Sequence, residues 1–176
     1  MTQLERIAFK IVIIGEPAVG KTSLIRRFSD QSFSDNYKAT VGADFDIKII
    51  KLEKLEVFLT LWDIGGQDNF SELRNYYYSG ADAAVLVYDL SNIDTLHELK
   101  KWEDDFMSVS SKDTPRIVIG NKKDLIDEFN QDSVLEFVKK RGLELILTSA
   151  KTNENVEESF RLISELCLKK YNISVV

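Results

Sequence analysis

The chain has 176 residues, 44% hydrophobic and 30% charged, with eight glycines and two prolines. That length fits one compact domain, expected over residues 1–176, and so few chain breakers exclude fibrous and disordered classes. A net charge of −6 disfavours bulk attraction to nucleic acid or anionic lipid. No apolar run reaches the roughly 18 residues a membrane helix needs. The opening residues lack the basic-then-apolar order of a signal peptide. The single cysteine, Cys167, has no internal partner and suits a reducing compartment. A soluble, cytoplasmic chain is expected.

In chain order, Ile7–Ile14 is a short, β-branched apolar run that predicts a buried strand. From Lys21 the spacing of Leu24, Ile25 and Phe28 turns helical. Asp44–Ile50 and Val57–Trp62 alternate like strands, with Lys51–Lys54 turning them into a hairpin. Ala83–Leu90 and Arg116–Ile119 are further buried strands, and Leu96, Leu99, Trp102 and Phe106 keep a helical spacing between them. Ser133 with Glu136 reads as a capping box that opens a helix closed near Gly142. Leu143–Leu147 reads as a last strand, and Val156, Phe160, Ile163 and Cys167 stripe a final helix. Alternating strands and helices predict an α/β fold, a mostly parallel sheet covered on both faces with one antiparallel edge pair.

Gly15-Glu16-Pro17-Ala18-Val19-Gly20-Lys21-Thr22 fits G-x-x-x-x-G-K-[ST] between a predicted strand and a predicted helix. Successive backbone N–H groups there can wrap phosphates while the helix N-terminus adds partial positive charge. Lys21 would reach the β- and γ-phosphates, and the Thr22 hydroxyl would ligate Mg²⁺.

Asn121-Lys122-Lys123-Asp124 follows a strand, at the end where open α/β sheets bind ligands. Guanine offers two adjacent donors, N1–H and the N2 amine, and a carboxylate at Asp124 can accept both. Adenine would face that carboxylate with a lone pair. Alone, the tetrapeptide reads equally well as a polar turn; a hundred residues after a phosphate loop, the nucleotide reading prevails. In Thr148-Ser149-Ala150-Lys151, an Ala150 N–H can donate to guanine O6 and the Lys151 stem can cover the base. In Leu61-Trp62-Asp63-Ile64-Gly65-Gly66-Gln67, Asp63 suits Mg²⁺, usually through water. The Gly66 amide can sense the γ-phosphate, and Gln67 can orient the attacking water.

In this order, Gly15–Thr22, Thr40, Asp63–Gln67, Asn121–Asp124 and Ser149–Lys151 resemble the five G-boxes of Ras-superfamily small GTPases over residues 7–170. The resemblance implies a single P-loop G domain, with a six-stranded sheet and about five helices on both faces. It implies a switch that binds GTP and GDP with Mg²⁺, held by Thr22, Thr40 and Asp63. Thr40 would close on metal and γ-phosphate in the GTP state, Phe33 would pack on the guanine, and Tyr37 would cover the phosphates. Ser23 joins the nucleotide-binding set: Gly15–Ser23, Phe33, Tyr37, Thr40, Gly66, Asn121, Lys122, Asp124 and Ser149–Lys151. Catalysis would fall to Gln67, Lys21, Thr40 and Gly66. Thr40–Phe45, Trp62-Asp63, Tyr77–Ala81 and Thr148–Glu157 look most like the Rab branch. Phe45, Trp62 and Tyr77 would then match an effector-facing aromatic trio, a reading that stands beside plain hairpin packing. Effectors, an exchange factor and a GTPase-activating protein are implied, and a monomer is expected.

Four features depart from the pattern. Pro17 stands where many Ras proteins have glycine and removes one N–H from the phosphate loop. Gly65 replaces the usual Rab alanine and is similar to the Arf proteins instead. The C-terminal residues Tyr171–Val176 carry no prenylatable cysteine, and Thr2 is not the glycine that myristoylation requires, so no membrane anchor is expected within this sequence. The first switch, about 33–45, contains no arginine. Intrinsic turnover is therefore expected to be slow, on the order of 10⁻⁴ to 10⁻³ per second by analogy with Ras. His97 reads as a solvated residue and Cys167 as buried packing. Two alternatives stay open, a nucleotide-binding scaffold with negligible hydrolysis and a P-loop ATPase or kinase.

Overall fold

The computed structural model describes residues 5–30, 32–34, 38–52, 54–66, 71–128 and 132–174, apart from the side chains of residues 71 and 72. The strands are β1 (Glu5–Ile14), β2 (Ala43–Lys51), β3 (Leu55–Ile64), β4 (Ala83–Asp89), β5 (Arg116–Asn121) and β6 (Glu144–Leu147). The helices are α1 (Lys21–Asp30), α2 (Ser71–Tyr78), α3 (Asp94–His97), α4 (Leu99–Met107), α5 (Asp132–Arg141) and α6 (Val156–Lys170). The six strands run in the order β2-β3-β1-β4-β5-β6. Only the β2–β3 pair is antiparallel; β1–β3, β1–β4, β4–β5 and β5–β6 are all parallel. The expected sheet with one antiparallel edge strand is the one observed.

Strand alternation divides the core in two. Phe9, Ile11 and Ile13 of β1, Val85 and Val87 of β4, and Ile117 and Ile119 of β5 meet Leu24, Ile25 and Phe28 of α1 and Val156, Phe160, Ile163 and Cys167 of α6. The rings of Phe28 and Phe160 stack with centroids 4.3 Å apart. On the other face, Val12, Ile14, Ala84, Leu86, Tyr88 and Val118 meet Tyr78, Leu96, Leu99, Trp102, Phe106, Val134 and Val138. Every residue of β4 is buried, as a parallel strand covered on both faces requires. β1, flanked by β3 on one side and β4 on the other, ends at the crevice where such sheets bind ligands.

Four local differences from the sequence expectations have physical reasons. β1 begins at Glu5, because its ladder continues to Leu55 although Glu5 and Arg6 are exposed and carry no apolar signal. The single helix expected over 96–106 is two segments, α3 and α4, joined at Glu98 (φ −74°, ψ −16°), a one-residue tightening that leaves the apolar stripe intact. α5 starts at Asp132, so Ser133 lies inside its first turn and is not the cap; Glu136 instead lies 3.6 Å from Lys140, one turn on. α2 shows no apolar stripe in the sequence, since the residues it buries among its described side chains are Arg74 and Tyr78. The stop at Gly142 is as expected. With φ +63°, its N–H bonds Lys139 O (3.3 Å) while Leu143 N–H bonds Val138 O (3.0 Å), a paired closure that the left-handed glycine permits.

Candidate nucleotide site

The segment between β1 and α1 curls back on itself through Gly15 (φ +142°), Ala18 (φ +63°) and Gly20 (φ +97°). A Cβ on Gly15 would sit 2.1 Å from Val87 O, and one on Gly20 2.3 Å from Asn121 Nδ2; neighbours as well as dihedrals demand glycine at both. Lys21 is buried at the first position of α1, and its Nζ donates to Gly15 O (2.7 Å) and Glu16 O (2.9 Å). Burial pushes its pKa down to about 8, against the opposing pull of Asp63 and Glu16. A buried ammonium whose hydrogen bonds go to two carbonyls suits an incoming anion.

Below this loop three oxygens converge. The Thr22 hydroxyl donates to Asp63 Oδ2, the Thr40 hydroxyl donates to the same oxygen at 3.1 Å, and the two hydroxyls lie 2.9 Å apart. Asp63 is 2% exposed, and its Oδ1 has no hydrogen-bond partner among the described residues. Burial raises its pKa, opposed by Thr22, Lys21 and Thr40. A buried carboxylate with one idle oxygen beside two hydroxyls is a donor set for a hard cation. No group of three or more His, Cys, Asp and Glu capable of holding a metal occurs among the described residues.

At the far end, Asn121 joins three segments. Its Nδ2 donates to Val19 O (2.9 Å), and its Oδ1 accepts from Thr148 Oγ1 (3.1 Å) and from Ala150 N–H (3.2 Å). The Ala150 amide expected to meet guanine O6 is thus directed at Asn121, in a long bond that O6 would have to share. Lys122 takes a left-handed conformation (φ 66°) and bonds Asp89 at 2.6 Å, opening a 3₁₀ turn over Lys123–Leu125. Asp124 in that turn is exposed and accepts from Ser149 Oγ at 2.5 Å, which fixes one carboxylate oxygen.

A cavity of about 290 Å³ runs between the two ends. Of the expected nucleotide-binding residues, Pro17, Ala18, Gly20–Ser23, Phe33, Thr40, Gly66, Asn121, Lys122, Asp124, Ala150 and Lys151 line it. Gly15, Glu16, Val19 and Ser149 do not line it, and Asp63 opens instead, with Thr22, on a second cavity of about 80 Å³. Tyr37 and Gln67 lie outside the described residues. Gly66 is pressed against the phosphate loop, where a Cβ would come within 2.5 Å of Pro17 N.

The model that describes the Ras family matches residues 10–169. The chain belongs to the Ras family. This Ras-family chain is a small GTPase of Rab-like character. It is 38% identical over 168 residues to a Ypt/Rab-type GTPase of Schizosaccharomyces pombe, covering 91% of this chain and 82% of that one. It is 37% identical over 179 residues to the Ras-related protein RABG3f of Arabidopsis thaliana, covering 96% and 86%. It is 38% identical over 164 residues to the Ras-related protein Rab-7L1 of Rattus norvegicus, covering 89% and 80%. Among the described residues of this small GTPase, no helix is long and apolar enough to cross a membrane.

Its site also uses residues that motif reading passed over. Arg27 of α1 donates to Ala150 O (2.8 Å) and Lys151 O (3.0 Å), and its guanidinium lies 5.6 Å from the Phe33 ring. One side chain thereby braces both the 148–151 loop and the ring expected to face the base. In the sequence, Arg27 is only a basic residue in a last helical turn. Arg26, Lys38 and Leu125 also line the cavity, and no motif announces them. Phe45 and Trp62 stack at 5.6 Å, and Trp62 meets Tyr77 at 6.3 Å, so the aromatic trio is one contiguous surface, 60% exposed at Phe45.

Proposed function

We propose that this GTPase binds GTP and GDP through the cavity, hydrolyses GTP slowly, and presents nucleotide-dependent surfaces to protein partners in a Rab-like trafficking or signalling role. The carrying observation is that one cavity joins a buried lysine and the Thr22 and Thr40 hydroxyls, both bonded to Asp63 behind them, at one end to Asp124, Ala150 and Lys151 at the other. Lys21 and the loop amides hold the phosphates; Asp124 accepts the two guanine donors; Phe33 and the Lys151 stem cover the base. The idle Asp63 Oδ1 and the Thr22 and Thr40 hydroxyls fit Mg²⁺, with Asp63 acting directly or through water. When bound, Mg²⁺ neutralises phosphate charge. Gly66 offers its amide to the γ-phosphate, and Gln67 orients the attacking water. Thr40 then links the 33–45 segment to nucleotide state.

Partners of this reading are effectors on the Phe45–Trp62–Tyr77 surface, an exchange factor and an activating protein. The chain acts as a monomer in the cytoplasm. Displacement of a fluorescent GDP analogue tests the base: GTP and GDP compete, and equal competition by ATP overturns the guanine assignment. A second reading, binding without hydrolysis, draws on Pro17, which lacks an N–H and abuts Gly66. Single-turnover phosphate release separates the two: wild type releases phosphate and Gln67→Leu does not, whereas equal inactivity of both favours the scaffold.

A further inference from the structure

Besides its bond from Asn121, the phosphate loop makes a second long-range side-chain contact, on the side away from the cavity. Glu16, half-buried in that loop, accepts a hydrogen bond at 2.8 Å from the indole N–H of Trp102, in the middle of α4 and 86 residues away. The face of the same indole carries the guanidinium of Arg74, from α2, with Cζ 4.6 Å from the ring centroid. Arg74 is 3% exposed, and its one ion pair among the described residues is a 3.3 Å contact from Nη2 to Asp105, a partly exposed carboxylate one turn on from Trp102. Its Nε and Nη1 have no hydrogen-bond partner among the described residues, and neither has the buried hydroxyl of Tyr78, one turn further along α2.

Those idle donors weigh on where α2 sits. A buried guanidinium with two unanswered nitrogens is costly, and the indole face recovers part of that cost. The seated position of α2 therefore carries a cost that positions letting Arg74 reach water would not, which makes it the end of the coupling most open to a bias. Glu16 supplies a bias tied to the cavity. Its carbonyl accepts from Lys21 Nζ at 2.9 Å while its carboxylate holds the indole. An anion that draws Lys21 Nζ away from Gly15 and Glu16 alters the strand of loop on which the Trp102 bond depends.

We propose that Trp102 is a positioning residue coupling the phosphate loop to α2, its N–H engaged by Glu16 and its ring face by Arg74. The inference rests on reading the cavity as a phosphate site, but the coupling itself is measurable on the protein as purified, whatever occupies it. The experiment is amide hydrogen exchange of the 71–80 segment in wild type, Glu16→Ala, Trp102→Phe and the double variant. Each single change is expected to raise exchange there on the order of tenfold, the value of one hydrogen bond to a charged group. The double variant is expected to show no more than the larger single effect, and Glu16→Gln, which keeps an acceptor for the indole, to stay near wild type. Additive effects in the double variant, or an unchanged segment in Glu16→Ala, overturn the coupling. Because Glu16→Ala removes an edge contact and leaves the core intact, it keeps the test decisive even if Trp102→Phe loosens the fold. A second arm replaces GDP by a non-hydrolysable GTP analogue. The difference in 71–80 exchange between the two nucleotides is expected to shrink in Trp102→Phe, and an undiminished difference overturns the link to the phosphates. Failure of both nucleotides to bind would instead overturn the functional reading, leaving the first arm to stand or fall by itself.

Discussion

At the scale of single residues, chemistry and reactivity follow from how each side chain is enclosed. Asp124 is exposed, with one oxygen held by Ser149, so its carboxylate keeps its acceptors for a ligand. Asp124→Asn replaces an acceptor by an amide donor that opposes the N1–H and N2 amine of guanine. GDP affinity is expected to fall at least about a hundredfold, while xanthosine diphosphate, whose oxygen in place of that amine is opposed by the native carboxylate and accepts from the new amide, is expected to bind more tightly than it does to wild type. Competition titrations of the two nucleotides check both halves. Cys167 shows the opposite extreme. It is fully buried in α6, and burial pushes its thiol up to about 12, above the ordinary thiol range. The thiolate is the reactive form, and it is scarce in the folded chain below that pH. Labelling at pH 8 with a chromogenic disulfide is expected to be at least about a hundredfold slower in the native protein than in denaturant. Equal rates would show that the helix opens readily.

Between elements, the joints carry the site. Asn121 closes β5 and ties it to the phosphate loop through Val19 and to the β6–α6 loop through Thr148 and Ala150. Asn121→Ala strips three buried partners at once, and a cost of about 2–4 kcal/mol is expected, read from chemical denaturation, together with faster GDP release. Asn121→Ala with unchanged release would show that the two ends of the cavity are held independently. This joint also marks where sequence reading succeeds and stops. Gly15–Thr22 and Asn121–Asp124 are legible because each is a contiguous stretch whose backbone does the work, so spacing alone exposes it. β4 and β5 are legible because covered strands must be apolar along their whole length. The part of Arg27 depends on α1 passing under the 148–151 loop, an approach no local pattern encodes. α2 is illegible for a related reason. It seats through Arg74 on the Trp102 ring and through Tyr78, whose ring meets Phe106 edge-on at 5.6 Å, and buried polar residues break the stripe by which helices are recognised. The Ser133–Glu136 box misleads because a matching tetrapeptide inside a first turn looks the same as one at its cap.

Over the whole molecule, the cavity lies where α1, β5 and the loops after β1, β3 and β6 converge. Filling it fastens the ends of several strands at once, and the unfolded chain has no comparable site. A ligand of that kind stabilises the fold by mass action: at about a hundred times its dissociation constant the gain is about 2.7 kcal/mol. For a chain of this size that corresponds to roughly 5–11 °C in Tm. The net charge of −6 does not oppose this. The phosphates meet Lys21 and aimed amides, and the surface field reaches only about 10 Å at ordinary ionic strength. Saturating GDP with Mg²⁺ is therefore expected to raise Tm by that amount. Chelating the metal should return part of the gain, because the buried Asp63 carboxylate again faces the phosphates unscreened. ATP with Mg²⁺ at the same concentration is expected to leave Tm near that of the ligand-free protein, since adenine cannot satisfy Asp124. Thermal melts in the three conditions check this. An ATP shift equal to that of GDP would mean that the phosphate end alone supplies the binding, and the 121–124 turn would then have no part in choosing the base.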